Sequence, residues 1–115
     1  VPEQLRGLHL LITGRLSRTL SEHLVRKFLF AVCLRIGMTH IDTLDNPMIV
    51  TLPNGGIFGV LIIAESHISI SAHDHTAWID VFSCKQFQVT PALAFIANRL
   101  HLLDYTSEFL QRSSK

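Results

Sequence analysis

The chain has 115 residues, 48% hydrophobic and 17% charged, with a formal net charge of +1. That length suits one domain, spanning 1–115, with a core of its own, and the apolar share leaves surface to hide, some of it at a subunit interface. With no run of Lys or Arg, nucleic acid is excluded as a main partner, because phosphate binding needs a basic patch.

Gly7 to Thr13 reads as a first strand, and Gly14 with the Arg15–Arg18 segment as a turn. Thr19 or Ser21 caps a helix, with Glu22 in its first turn where a negative charge suits the dipole. Leu20, Leu24, Phe28 and Val32 recur every fourth residue, and Val25, Leu29 and Ile36 widen the stripe. Gly37 is the stop signal. Cys33, inside this helix, reads as a small buried hydrophobe. Met38 to Leu44 reads as a second strand, Asp45–Asn46–Pro47 as a turn and Met48 to Leu52 as a third strand. Pro53–Asn54–Gly55–Gly56 is the strongest turn signal in the chain.

The stretch Gly59–Ser71, GVLIIAESHISIS, organises the rest. Val60 to Ala64 reads as a strand buried on both faces, and the alternation after it as a strand with one buried face. Taken as one continuous strand, it puts His67, Ser69, Ser71 and His73 on one side, opposite Ile68, Ile70 and Ala72. Ala72 to His75 reads as a reversal. In the strand Thr76–Cys84, Ala77, Ile79 and Val81 share one face; Trp78, Asp80 and Phe82 share the other, with Trp78 read as packing. Thr90 and Pro91 read as N-cap and first residue of a second helix with Leu93, Ile96, Ala97 and Leu100 on its apolar side. His101 to Tyr105 reads as an edge strand, and Thr106 to Lys115 as a short helix or a frayed tail. Two helices among six or seven hairpin-joined strands imply an α+β two-layer sandwich: an antiparallel sheet with two helices packed on one face.

Two cysteines, Cys33 and Cys84, make no disulfide framework and point to a reducing, cytoplasmic setting. No apolar run reaches the roughly 18–20 residues that span a membrane. Neither a membrane partner nor a signal peptide is expected. His67, His73 and His75 are the only local hint of a metal. His73 and His75 offer two ligands where zinc wants three or four, so no metal site is expected. Serine, histidine and aspartate are present, but no G-x-S-x-G elbow and no glycine-rich phosphate loop. By residue type alone, Ser66 is an ordinary strand serine.

IIAESHISI, followed at short distance by AWIDVFSC, resembles the bacterial S-adenosylmethionine decarboxylase family. That family carries Glu-Ser-His after an apolar strand and D-[LV]-F-[TS]-C downstream. GLHLLI at the start, the glycine-closed helix and the later Thr90–Pro91 helix fit its layout as well. The resemblance implies a self-processing proenzyme: the Ser66 hydroxyl attacks the Glu65 carbonyl, and the chain is cut into 1–65 and 66–115. Residue 66 then carries a pyruvoyl group, the cofactor that forms a Schiff base with the substrate amine. Ser66 and Cys84 become the catalytic residues, Cys84 as proton donor. Glu65, Ser66, Ser71 and His73 are the processing candidates, and Leu52, Glu65 and His67 the substrate-binding ones. A homodimer with shared active sites is implied too.

The chain also departs from the family pattern. Ser71 stands where the family has a processing histidine, with His73 two residues on. Phe58 replaces a small hydroxyl residue, Leu52 replaces an adenine-stacking aromatic, and the turn after Ser71 is shorter and lacks an aromatic. Three functions follow. The first is a pyruvoyl-dependent decarboxylase of polyamine synthesis acting on S-adenosylmethionine, or on a basic amino acid such as ornithine or arginine. The second is an unprocessed, non-catalytic partner of an active homologue. The third is a metal module built on His67, His73 and His75.

Overall fold

The computed structural model describes residues 6–113 and forms the expected two-layer sandwich. Its elements are β1 (Arg6–Leu16), α1 (Glu22–Arg35), β2 (Met48–Thr51), β3 (Ile57–Ile63), β4 (Ser66–His73), β5 (Thr76–Ser83), α2 (Val89–Arg99) and β6 (Leu102–Ser113). All six strands join one antiparallel sheet in the order β2-β3-β4-β5-β1-β6. Both helices cover one face, and the core lies between the layers: Leu8, Leu10 and Ile12 from β1, Leu61 and Ile63 from β3, Ile68 and Ile70 from β4, and Ile79 and Val81 from β5. Among the described residues no helix lies on the other face.

α1 starts where a cap makes it start: Ser21 Oγ accepts a hydrogen bond from the Leu24 amide at 3.1 Å. Glu22 lies in the first turn and Arg35 in the last, each favoured by the helix dipole. Gly37 follows the C-cap with φ +74°, a conformation open to glycine at no steric cost. Val25, Phe28, Leu29, Val32 and Cys33 face the sheet. Burial pushes the Cys33 thiol up, keeping it neutral, and it donates to the Met38 carbonyl at 3.3 Å. Where α1 crosses β3 the sheet has Gly59; a Cβ there would stand 2.6 Å from Val25 Cγ1. The missing side chain lets the two layers close.

Several local readings are corrected. The Gly59–Ser71 stretch is a hairpin, not one strand: Ile63 pairs with Ser66 across the two-residue turn Ala64–Glu65. β3 is buried on one face only, with Ile57, Leu61 and Ile63 inside and Phe58 and Ile62 outside. The common face read for His67, Ser69, Ser71 and His73 does hold, opposite buried Ser66, Ile68, Ile70 and Ala72. Met38–Leu44 is not a strand. It touches β3 through a single bridge, His40 to Ile63, because the Asn46 side chain takes the place of a strand partner. Asn46 Oδ1 accepts from the Ile62 amide, and its Nδ2 donates to the Ile62 and Ile41 carbonyls, all at 2.7 Å. β1 runs on past Thr13 through Gly14 and Arg15, which pair with β5 and β6.

α2 begins at Val89 behind Gln88, which makes no side-chain cap, so Thr90 and Pro91 fall inside the first turn. Proline is tolerated there because the first amides have no acceptor within the helix. Trp78 is not core: it is 47% exposed on the uncovered face. The segment from Thr106 is neither helix nor frayed tail as far as Ser113; Ser114 and Lys115 lie outside the described residues. β1 offers a free edge along its whole length, and β6 fills it by backbone pairing. Because both faces of β6 are largely exposed, its sequence carries no alternation to announce a strand.

Two substitutions test this packing. Gly59→Val raises β propensity, yet it should lower stability by about 1–3 kcal/mol through overpacking against Val25; a thermal midpoint that rises would refute the close approach. Asn46→Leu removes three hydrogen bonds and strands the Ile62 amide, while the Ile62 carbonyl keeps the Ile41 amide; the cost should be about 1–3 kcal/mol in urea unfolding.

Candidate active site

The turn that joins β3 to β4 is held from two sides. On one side the Ala64 amide donates to the Thr39 carbonyl at 3.1 Å and the Ile41 amide to the Ile62 carbonyl at 3.0 Å. On the other side stands the end of β5. Glu65, exposed in the turn, has φ +59°, a left-handed conformation that costs a residue with a Cβ about 1–2 kcal/mol. Ser66 then turns inward and is only 9% exposed.

The end of β5 is shaped by Ser83. Its buried Oγ donates to the Lys85 carbonyl at 2.7 Å and accepts from the Lys85 amide at 2.9 Å. This tight loop leaves Cys84 at the corner, exposed, beside the β3–β4 turn. Its amide donates to Ser66 Oγ at 2.9 Å, and its thiol donates to the Glu65 carbonyl oxygen at 3.5 Å. An alcohol oxygen, a thiol and a backbone N–H thus converge on the peptide between Glu65 and Ser66. Cys84 is no strand-end core cysteine; it is open to a ligand.

His67 leaves this cluster. Strand alternation sends it to the uncovered face, where it stacks on Phe82 with centroids 5.8 Å apart. His9 meets the same ring edge-on at 5.7 Å, and Arg112 lies over it at 5.6 Å. Gly7 makes room for that ring, since a Cβ there would stand 2.6 Å from Phe82 Cε1. His9 Nε2 lies 3.9 Å from Asp80 Oδ2 and, although buried, makes no hydrogen bond.

The remaining candidates sit at the far end of the sheet. Ser71 lies five strand positions from Ser66, ~17 Å at the rise of an extended chain, and His73 lies ~23 Å away. Ser71 stands in a cross-strand row between Phe58 and Trp78. His73 borders the Asp74–His75 turn, whose two residues have φ +49° and +65° as a tight hairpin requires, and its Nδ1 is 3.7 Å from Asp74 Oδ2. Leu52, 45% exposed, closes the β2–β3 loop, where its carbonyl accepts from Gly55. The chain therefore holds two groups: Glu65, Ser66 and Cys84 at one end, and Leu52, Ser71 and His73 at the other. His67 and His73 lie ~20 Å apart along β4, and no three potential metal ligands gather among the described residues. Among the described residues no helix is long and apolar enough to cross a membrane.

Sequence reasoning passed over Asn46, which it took for part of a turn, and His9, hidden in an apolar strand. Asn46 before proline gave a turn signal only; its role as a substitute strand partner depends on contact with Ile62, sixteen residues away.

No curated protein matches the chain by sequence. Three solved chains match its structure. One is the adenosylmethionine decarboxylase from Aquifex aeolicus, similar with a TM-score of 0.78 at 22% identity, over 94% of this chain and 91% of that one. At that identity the likeness shows a common fold. The sequence profile of S-adenosylmethionine decarboxylase matches residues 16–113. Because that match runs from the last residue of β1 to the last of β6, the chain belongs to the S-adenosylmethionine decarboxylase family.

Proposed function

We propose that the chain is a self-processing decarboxylase of S-adenosylmethionine that makes its pyruvoyl group from Ser66. One observation carries this reading: Cys84 meets both sides of the Glu65–Ser66 peptide, its amide on Ser66 Oγ and its thiol on the Glu65 carbonyl oxygen, at a turn already held in a costly conformation. The residues present fit a group made in place. The Cys84 amide orients the alcohol oxygen, and the inward position of Ser66 shields it from bulk water.

In the first step Ser66 Oγ bonds to the Glu65 carbonyl carbon, the C–N bond breaks, and the hydroxyl proton passes to the freed amine. The Cys84 S–H is placed to stabilise the oxygen that carries negative charge during this shift. Elimination next removes the Ser66 Cα proton and expels Glu65 as its carboxylate. Water then replaces nitrogen at Cα, releasing ammonia and leaving a keto group at residue 66. That group supplies what no side chain offers, an electrophilic carbonyl that captures the substrate amine and draws off the electrons released with CO2. Cys84, exposed beside it, holds the proton that the substrate carbon then takes. A free thiol in this role suits a reducing, cytoplasmic setting.

The two distant groups of candidates support a homodimer with shared sites. Ser71 and His73 cannot reach the Ser66 of their own chain, so any part they take in processing is played across an interface. The uncovered face supplies apolar surface for one: Met48, Val50, Phe58, Ile62, Trp78 and Leu110 are each exposed by 41–54%. Phe58 and Trp78, in one row with Ser71, also favour a purine-bearing substrate. They offer two aromatic faces where Leu52 offers none, and base stacking is worth about 1–3 kcal/mol. Loss of the aromatic at Leu52 favours the second reading, a basic amino acid substrate such as ornithine or arginine.

Intact mass spectrometry should find two chains, 1–65 and 66–115, the second with a blocked amino terminus. Ser66→Ala should give one uncut chain and no CO2 from S-adenosylmethionine; an uncut wild-type chain would instead support a non-catalytic partner. Trp78→Ala should raise KM for S-adenosylmethionine roughly tenfold while leaving the cut intact. Unchanged KM, or CO2 released only from ornithine or arginine, would move the substrate to the second reading.

A further inference from the structure

We propose that the cleft between the start of α1 and the end of α2 binds a small soluble phosphomonoester with an apolar body. The cleft is a cavity of about 250 Å³. Its floor is apolar: Phe28 and Leu100 are buried, and Leu20 and Leu24 half-buried. Its rim carries three cations, Arg18, Lys27 and Arg99, with His101 beside them, all exposed.

Among the described residues none of these four has a carboxylate partner; the ion pairs are His9–Asp80, Arg15–Asp104 and His73–Asp74. Three of the ten Lys and Arg of a chain with net charge +1 thus surround one hollow unpaired. Like charges gathered around a low-dielectric floor raise the local potential and favour an anion. The two guanidiniums present planar forks suited to phosphate oxygens, and three permanent cations suit a dianion better than a carboxylate. At the start of α1 the Leu24 amide is taken by Ser21 Oγ and the Val25 amide by the Ser21 carbonyl, and the proposed recognition rests on the rim side chains. The two rims are tied together by Ser17 Oγ, which donates to the His101 carbonyl at 3.4 Å. The volume lies below the range of about 300–1,000 Å³ typical of drug-sized ligands, which limits the apolar body to one ring or a short chain.

The site is separate from Ser66. β1 spans the sheet from Leu8, opposite Ser83, to Leu16 beside the rim, ~27 Å of extended chain. The proposal therefore stands independently of the decarboxylase reading.

Phenyl phosphate, inorganic phosphate and phenol are titrated into the purified protein by calorimetry, with NMR shifts of the Leu24 methyls as a second readout. Phenyl phosphate should bind saturably, roughly tenfold tighter than either fragment alone, and the Arg18→Ala/Arg99→Ala variant should lose roughly tenfold with its thermal midpoint unchanged. Lys27→Gln, at an exposed helix position, should weaken binding in the same direction. The proposal is overturned if wild-type protein shows no saturable binding, if inorganic phosphate binds as well as phenyl phosphate, or if the variants bind like wild type. Phosphatidic acid vesicles separate a lipid from a free ligand: the protein should stay in the supernatant, and co-sedimentation lost in the double variant would overturn the soluble ligand.

Discussion

The contact from the Cys84 amide to Ser66 Oγ ties the end of β5 to the start of β4, and much of the structure serves to keep it. It cannot form unless β5 stops at Ser83, and β5 stops because Ser83 closes on Lys85. Nor can it form unless β3 turns back at Glu65, which depends on Thr39 and Asn46 holding the outer edge of β3. A segment without regular structure thus acts on the site through backbone groups. Two hydrogen bonds and one turn decide where an alcohol and a thiol meet, while the helices sit on the same side as the buried serine and keep the sheet rigid beneath it.

The sheet divides its labour between faces. The covered face is apolar apart from Ser66 and Ser83 at one end, with Gly59 thinned so that α1 can lie close. The uncovered face mixes exposed aromatics with His9, His67, Ser69 and Asp80, a composition closer to a recognition surface than to a solvated one. Phe82 anchors that face through His9, His67 and Arg112, and Gly7 makes room for its ring.

Strand alternation was legible in β4 and β5, which have the inward and outward residues that their sequences announce, and was masked in β3, where the exposed positions Phe58 and Ile62 are apolar too. Helix signals were legible where a polar side chain caps, as Ser21 does, and less so at α2, where Gln88 caps with backbone alone. The Glu65–Ser66–His67 and Asp80–Cys84 segments marked the candidate site in the sequence, because the resemblance lay in them. What stayed hidden was nonlocal. The turn at Glu65 has neither glycine nor proline to advertise it, and β6 has no buried face to impress a period on its residues.

The strand order has a mechanical consequence for a protein severed at residue 65. Were the proposed cut made, β1 would belong to the leading fragment, yet it is clamped between β5 and β6, which would both belong to the trailing one. β3 likewise keeps its ladder to β4 across the cut. The halves would be interleaved rather than abutting, so pulling them apart means unzipping the sheet at several seams at once. Severing one covalent link would free a new terminus for chemistry and still leave a body that moves as a single piece.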